Sequence, residues 1–381
     1  MKKEMIKTIS QKSARIFSVA ITLLVSSLLF VSCEKDDMDL KDPSDSILPD
    51  RFRVEIPGAI SSRAHTKSQQ VDTLSGDGVY MHLRNFIGLA ESGAELNENV
   101  ILMIAVNNLN RPMELTFISD EDGRAKHLSV VENASFEGKD WQYRLTVTDV
   151  GNPAKTSAPT HALQVFWNLA PLEAISILNP WNINRNTEEI YQETNFRVEY
   201  SETGALGYEA HMMVSFTGFP VPNPLHDPYG LSKMKMFVGR NGDMVSIFGN
   251  SEHPNARFFN HETGFNWAFS AAASRTQNIA VAEVGLPPMD LNASDRETLL
   301  ETYSIYNVFR NQILYVWPNI NPDVLEAYLH HTQAPGYFNA GGFVQAGTAP
   351  SQAYEPLKEA MEMLTPYNPA TILNYQITFA Q

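Results

Sequence analysis

The densest group of polar side chains that could do chemistry lies in the stretch 249–267, GNSEHPNARFFNHETGFNW. The candidate ligand-binding residues in it are Asn250, Glu252, His253, Asn255, His261 and Trp267. The stretch separates two predicted strands, and loops held by a rigid scaffold are where binding residues concentrate. We therefore predict that this segment is a loop that contacts a ligand.

Metal binding is the sharpest interpretation of this stretch, because imidazole and carboxylate groups suit zinc. However, HETGF is not the H-E-x-x-H motif, and a spacing of eight residues between His253 and His261 places no pair on one helical face. The alternative is a solvated turn around Pro254, with asparagine side chains bonded to the backbone. We predict neither a metal ion nor another cofactor.

A second candidate stretch, 179–186, reads NPWNINRN and contains Trp181, Asn184 and Arg185. An aromatic face next to amide and guanidinium donors is a common way to bind polar ligands such as sugars. The alternative is a long connection whose tryptophan fills the edge of the core while its asparagines take turn conformations. The pattern favours that alternative, and the three residues remain ligand-binding candidates.

Glu283 is the best single candidate for a general acid or base. It lies in the apolar segment IAVAEVGLPP, on the same face of a predicted strand as Ile279 and Val281. If that face is inward, the carboxylate needs a partner such as Arg185 or Arg275, and its pKa is raised by burial. If the face is outward, Glu283 is an ordinary surface residue.

Helical periodicity precedes these segments, over residues 77–108. Apolar residues recur there at spacings of three and four, in Tyr80, Leu83, Ile87 and Ala90. Gly93 predicts a stop, after which a second helix continues to about residue 108.

The pattern changes to a period of two over residues 113–287, which predicts a β-rich body. Eleven short strands are predicted: 114–119, 127–133, 141–149, 162–169, 174–178, 196–200, 211–216, 233–238, 244–249, 265–271 and 279–284. Turn signals separate these strands, and no helix of crossover length interrupts them. This arrangement is typical of an antiparallel barrel or sandwich.

Residues 292–381 are predicted to be rich in helix, with starts at Asn321-Pro322 and at Glu355-Pro356. The glycine-rich run 334–347 predicts a flexible lid or packing segment, and Tyr375 to Phe379 alternates like a closing strand. A strand that returns to the sheet would join these helices to it. We therefore predict a single α+β domain over residues 71–381.

His330-His331 ends a predicted helix in this region, where cations interact favourably with the helix dipole. That structural explanation suffices for the pair.

The amino terminus predicts export. Residues 1–32 combine a basic start with the apolar run IFSVAITLLVSSLLFVS, and Cys33, the single cysteine, follows directly. Residues 33–70 are rich in charge and proline with little apolar periodicity, which indicates a flexible acidic tether.

Leu29-Phe30-Val31-Ser32-Cys33 resembles a bacterial lipoprotein signal. The acidic residues that follow, among them Glu34, Asp36 and Asp37, resemble the export signal of surface-exposed Bacteroidota lipoproteins. This resemblance covers about the first forty residues. It implies a lipid on Cys33 and a position on the outer face of the outer membrane.

The formal net charge of -15 disfavours nucleic acid as a partner, because phosphates would be repelled. The predicted function is a surface lipoprotein that binds a glycan, another nutrient or a small molecule through loops of a β scaffold. A structural adhesin or fimbria-type component is the alternative. An enzyme, for instance a hydrolase, ranks third because no catalytic motif matches the sequence.

Overall fold

The computed structural model describes residues 47, 51–62, 75–106, 112–151, 160–221, 229–257, 264–364 and 375–380. The predicted signal peptide, Cys33, most of the predicted tether and His261 lie outside the described residues.

Within these described residues, thirteen strands form one antiparallel sheet in which each strand pairs with the next strand along the chain. The first seven are β1 (Met113–Ile118), β2 (Ala125–Phe136), β3 (Lys139–Gly151), β4 (Thr160–Leu169), β5 (Leu172–Leu178), β6 (Asn195–Ser201) and β7 (Ala210–Thr217). The others are β8 (Lys233–Asn241), β9 (Met244–His253), β10 (Phe265–Ser274), β11 (Ile279–Gly285), β12 (Gly336–Asn339) and β13 (Gly342–Ala346). The predicted α+β class with an antiparallel sheet is confirmed.

The hairpin β12–β13 occupies the glycine-rich run 334–347, for which the sequence predicts a flexible lid or a packing segment, and the structure agrees with the packing segment. Gly336 lies against helix α1 (Gly76–Val106), where a Cβ atom would come within 2.6 Å of the Tyr80 ring. Gly342 adopts a φ of 114° in the turn. These glycines permit close packing and a tight turn, so here they do not indicate a mobile segment.

Along the chain, helices precede the first strand, lie between strands and follow the last strand. They are α1, α2 (Pro180–Ile183), α3 (Ile305–Val316), α4 (Pro322–Tyr328) and α5 (Glu355–Glu362). The predicted starts at Asn321 and Glu355 are confirmed, and the Asn321 side chain accepts hydrogen bonds from the backbone N–H groups of Asp323 and Val324.

Gly93 does not end a helix, because α1 runs without a break from Gly76 to Val106. A Cβ atom at Gly93 would approach the buried ring of Phe196 on β6 to 2.9 Å. The glycine therefore allows the helix to lie close to the sheet, and the predicted second helix is part of α1.

The main core fills the space between α1 and one face of the sheet. Residues 51–62 also contribute to it, since Phe52, Val54 and Ile56 are buried in the same cluster as Leu83 of α1. The alternating apolar residues of this segment pack like a strand face, although the segment pairs with no described strand. The folded body thus begins inside the predicted tether, about twenty residues before the predicted boundary.

The opposite face of the sheet is covered in part by the chain's carboxyl end. Helix α5 packs its Leu357 and Met361 on Val281, and Ile377 packs on Phe166 and Trp141. The predicted closing strand 375–379 is wrong, because these residues form no ladder. Instead, the Gln164 side chain exchanges two hydrogen bonds with the Ala380 backbone, at 3.0 and 2.7 Å.

We predict that Gly88→Ala destabilises the protein although it improves helix propensity. Alanine gains about 1 kcal/mol over glycine in a helix interior, but a Cβ at Gly88 would lie 2.2 Å from the backbone oxygen of Ser62. Overpacking of this kind costs about 1–3 kcal/mol. The free energy of unfolding, measured in urea, should therefore fall.

Gly58→Ala is the control, because the nearest atom to its added Cβ lies 3.8 Å away. Equal stability of the two variants would contradict the close packing of α1 on residues 51–62.

Candidate functional site

The stretch 249–267 is not a continuous loop, which corrects the prediction. Residues up to His253 belong to β9, and residues from Phe265 belong to β10. Because side chains alternate along a strand, Asn250 and Glu252 lie on one face of the sheet and His253 on the other. Of the predicted group, Asn255 lies in the turn that follows β9.

Asn250 and Glu252 lie on the face away from α1. Asn250 is 3% exposed and pairs in register with Lys235 and Ala268. Glu252 accepts a hydrogen bond from the Ser232 hydroxyl and lies 3.6 Å from the Lys233 ammonium. Glu252 is therefore bound to a neighbouring part of the protein, whereas the Asn250 side-chain oxygen is buried and has no hydrogen-bond partner among the described residues.

His253 and Trp267 are fully buried on the α1 side of the sheet. Their rings stack at 4.6 Å between centroids, and the Phe86 ring of α1 lies 4.7 Å from the imidazole. The pattern therefore places these two residues in the core and leaves them no exposed surface for a ligand.

A serine and a histidine meet at hydrogen-bond distance in this core. The Ser251 Oγ lies 2.7 Å from Nε2 of His253, and Nδ1 of the same ring lies 3.2 Å from the carbonyl oxygen of Tyr229. An N–H at Nδ1 would donate to that carbonyl and leave Nε2 to accept from the serine, which is the arrangement that activates a serine nucleophile. Both side chains are wholly buried, so a substrate has no access to them in this conformation.

Burial, only partly offset by the bond to the Tyr229 carbonyl, lowers the pKa of His253 to about 3. Burial also lowers the pKa of His82 to about 4, where the ring stacks on Tyr229 at 3.8 Å. Both imidazoles are therefore neutral in the folded protein at neutral pH and well below it.

Hydrogen bonds and an ion pair connect the stretch 179–186 to the β1–β2 turn and to β3. Asn179 caps α2 by accepting a bond from the Asn182 N–H at 2.8 Å. The Asn184 amide donates to Glu121 at 3.0 Å, and the Arg185 guanidinium lies 5.1 Å above the Trp181 ring. The ring of Trp181 and the polar groups of Asn184 and Arg185 thus face partners within the protein, whereas the buried Nε1 of Trp181 has no hydrogen-bond partner among the described residues.

Asp149, at the end of β3, is the centre of a buried ion cluster that includes Arg185. Its carboxylate lies 2.9 Å from Arg124, 3.0 Å from Arg185 and 3.5 Å from Lys126. Burial alone would raise the pKa of Asp149, but the bond from Arg124 and the charge of Lys126 outweigh it and hold the pKa below its usual range. The arrangement supports the structural interpretation of residues 179–186.

Glu283 pairs with Arg296, and not with the predicted partners Arg185 or Arg275. Arg296 begins the π-helical segment Glu297–Thr302, which follows β11 along the chain. Burial raises the pKa of Glu283, the charge of Arg296 opposes the rise, and Glu362 and Glu301 add to it. Glu283 lies on the same face of the sheet as Val281, away from α1, so its face is not the inward one of the first alternative. Its side chain is nevertheless largely buried, and the ion pair with Arg296 supplies a structural reason for that burial.

The structure contains an open polar cleft of about 630 Å³ that the sequence does not reveal. It is lined by Glu55, Ile56, Pro57, Gly58, Ser61, Glu91, Arg275 and Asn278. Three separate parts of the chain form it: the segment 51–62, helix α1 and the turn between β10 and β11. Local sequence patterns could not find this cleft, because its residues are up to about 220 positions apart.

The cleft presents charges of both signs. Glu91 is buried, and its carboxylate accepts a hydrogen bond from the Ser61 hydroxyl at 2.6 Å and lies 3.7 Å from the Arg53 guanidinium. At the rim, Arg275 lies 3.4 Å from the exposed carboxylate of Glu55. The cleft therefore offers both acceptors and a guanidinium donor to a polar ligand.

Asn278 fixes the geometry of the rim. Its backbone adopts a left-handed φ of 49°, a conformation that asparagine tolerates better than most residues. Its side-chain oxygen accepts a hydrogen bond from the Ala59 N–H at 2.8 Å. This bond links the β10–β11 turn to the segment 51–62 across the cleft.

Comparison with known proteins supplies no relative. No protein-family model matches the chain, no curated protein matches it, and no solved structure matches its fold. Among the described residues, no helix is both long and apolar enough to cross a membrane.

We predict that Asp149→Asn destabilises the protein by about 3–5 kcal/mol, because it leaves three cations around a neutral buried group. Asp140→Asn, an exposed position on the same strand, should change the free energy of unfolding by less than about 0.5 kcal/mol. Chemical denaturation of both variants at pH 7 measures the difference. Similar values for the two would show that the cluster contributes no net stability.

We also predict that stability decreases as the pH falls below about 6.5, the ordinary pKa of histidine. The unfolded chain binds protons at His253 and His82 in this range, whereas the folded chain does not until about pH 3 and 4. Each histidine should then contribute up to about 1.4 kcal/mol per pH unit, His253 between about pH 6 and 4 and His82 between about pH 6 and 5.

His253→Gln should lower the slope of the unfolding free energy against pH by the contribution of one proton, about 1.4 kcal/mol per pH unit. The slope is the readout, because the substitution also changes packing. A slope equal to that of the wild type would contradict the neutral state of the buried imidazole.

Proposed function

We propose that this protein is a lipoprotein of the outer cell surface that binds a polar ligand in the cleft formed by residues 51–62, α1 and the β10–β11 turn. The single observation that supports the binding role is the cleft itself, with buried Glu91 at one side and Arg275 and Asn278 at the other. The proposed location rests on the leader 1–32, Cys33 and the acidic residues after it.

The chemistry of the cleft favours a ligand rich in hydroxyl groups. Carboxylates accept hydrogen bonds from hydroxyls, and the Arg275 guanidinium donates to oxygen atoms. The lining residues include Ile56 and Pro57 but no aromatic ring, so hydrogen bonds rather than stacking would provide the recognition. A glycan, or another hydroxyl-bearing nutrient, fits these requirements.

The position of the cleft agrees with display on a tether. Its first lining residue, Glu55, lies 22 positions after Cys33 along the chain. Residues 51–55 belong to the folded body, so the linker runs from Cys33 to about Arg51, 18 positions further on. An extended chain spans at most about 3.3–3.6 Å per residue, so this linker reaches about 60 Å at its longest. Such a linker would hold the cleft within a few tens of ångströms of the lipid surface.

We further propose that the sheet curves around α1 as a partly closed barrel. Tyr80 of α1 contacts Phe338 on β12, and Asn97 bonds to Ser176 on β5. These two helix residues lie about 25 Å apart at 1.5 Å per residue, whereas β5 and β12 would be about 34 Å apart in a flat sheet. Curvature of the sheet toward the helix accounts for the shorter distance.

A structural role is the second candidate, and strand β1 is the observation that favours it. This strand lies at the edge of the sheet and exposes Leu115, Phe117 and Ile118, which are 40%, 39% and 55% exposed. An apolar edge strand with unpaired backbone groups is a template for another strand. Strand addition there would join copies of the chain into an oligomer, whereas binding in the cleft requires no assembly.

The test is a thermal-shift screen of the full chain in detergent against a panel of oligosaccharides and amino sugars. We expect a member of the panel to raise the melting temperature, because a ligand that binds only the folded state stabilises it. Arg275→Gln should reduce that rise, since it removes the guanidinium from the rim while breaking only an exposed ion pair.

Arg310→Gln is the matched control, because Arg310 is exposed on α3 and does not line the cleft. An equal rise in the wild type and in Arg275→Gln would place the ligand elsewhere. No rise with any sugar would contradict the glycan as the ligand class.

A further inference from the structure

Two histidines and an aspartate from distant parts of the chain meet at one point on the surface, outside the cleft. Asp77 lies in the first turn of α1, and His330 and His331 follow the end of α4. One potential ligand atom from each of the three side chains lies within 4.8 Å of the others. His331 Nδ1 lies 3.9 Å from Asp77 Oδ1.

Close backbone packing holds the two segments together. A Cβ atom at Gly76 would lie 2.7 Å from the carbonyl oxygen of His331, so only glycine fits there. The Tyr80 hydroxyl, one turn further along α1, donates to the carbonyl oxygen of Gln333 at 3.0 Å. The amino end of α1 is therefore fixed against residues 331–333, which positions Asp77 beside the histidines.

The backbone between the histidines brings their rings together. His331 adopts a left-handed φ of 59°, which is uncommon for a residue with a side chain. The rings of His330 and His331 lie 3.7 Å apart between centroids at an angle of 81°, and the His331 ring packs edge-on to Phe343 at 5.7 Å. Adjacent residues of a regular strand would instead point to opposite faces.

We propose that Asp77, His330 and His331 form a binding site for a divalent transition-metal ion, with zinc as the best-fitting common ion. Two imidazoles and one carboxylate are a donor set that suits zinc and iron(II) and does not suit calcium or magnesium, which prefer oxygen ligands. The set supplies three protein ligands, so at least one coordination position remains for water or for a ligand's oxygen atom.

The distances are compatible with this proposal after a small closure. Zinc binds nitrogen and oxygen at about 2.0–2.2 Å, which places neighbouring ligand atoms about 3.2–3.6 Å apart around a tetrahedral ion. Closing the observed spacing requires side-chain shifts of about 1 Å. His330 is exposed, and the Asp77 and His331 side chains are 49% and 24% exposed, so solvent leaves room for such shifts.

The helix-dipole interpretation of His330-His331 does not account for this arrangement. Helix α4 ends at Tyr328, and Leu329 is its C-cap. Both histidines lie beyond the cap, and an aspartate from α1 completes the group. A metal ion at this point would connect the amino end of α1 to the chain that enters β12, and its binding would stabilise the packing of α1 on the sheet.

Zinc alone is the probe for this site. The full chain, purified in detergent without a histidine tag and stripped with a chelator, is titrated with zinc by calorimetry, and bound metal is counted after dialysis. We expect one zinc ion per chain. His330→Ala combined with His331→Ala should abolish stoichiometric binding, and Asp77→Asn should weaken it at least tenfold.

Asp77→Asn also guards against a folding artefact, because it preserves the shape of an exposed side chain at the helix terminus. His127→Gln, on β2, is the matched control and should bind zinc as the wild type does. Cobalt(II) in place of zinc should give a visible absorption band that the double variant lacks.

Two results would overturn the proposal. The first is a wild-type chain that retains no stoichiometric zinc. The second is unchanged zinc binding in the double variant, which would assign the metal to other residues. Neither result bears on the polar cleft, because none of its lining residues belongs to this cluster.

Discussion

Helix α1 packs across the strands of the sheet instead of along any one of them, and most of the described structure depends on this contact. From its amino end, Tyr80 contacts β12 and β13, Phe86 contacts β9 and β10, and Gly93 lies on β6. Asn97 then bonds to Ser176 on β5. An antiparallel sheet whose neighbours are all adjacent in sequence has few long-range links of its own, and α1 supplies them.

The packing of α1 on the sheet also buries polar groups of the helix, which then need partners inside the protein. Glu91 and Glu98 of α1 are buried, and buried carboxylates are costly unless they are paired. The Arg53 guanidinium lies 3.7 Å from the Glu91 carboxylate and 2.6 Å from the Glu98 carboxylate. The backbone N–H of Phe52 donates a hydrogen bond to Glu98. These pairs attach residues 51–62 to the helix, and the polar cleft lies where that segment, the helix and the β10–β11 turn come together.

The sequence predicts the elements of this fold well wherever a local pattern decides the structure. The eleven strands predicted over residues 113–287 coincide with β1 to β11, because alternation of apolar residues is a local signal. The closing strand predicted at 375–379 by the same alternation does not form. The hairpin β12–β13 was not predicted, and the continuity of α1 was predicted wrongly, in both cases because of glycine. Gly93 packs closely against the Phe196 ring, and Gly336 packs closely against the Tyr80 ring. In both cases the ring is far away in sequence and leaves no room for a Cβ atom. No local pattern distinguishes such a glycine from one that ends a helix or loosens a loop.

The candidate site shows the same limit more strongly. A high density of polar residues in 249–267 predicts exposure, yet strict alternation places Ser251, His253 and Trp267 on the packed face beside α1. The polar atoms of Ser251 and His253 are tolerated there because Ser251 and the Tyr229 carbonyl engage both nitrogens of His253. Nε1 of Trp267, in contrast, is buried without a hydrogen-bond partner among the described residues. The polar cleft and the histidine–aspartate cluster are instead assembled from segments brought together by α1. Candidate ligand-binding residues therefore lie here where α1 joins distant segments, and polar density along the chain is a poor guide to them.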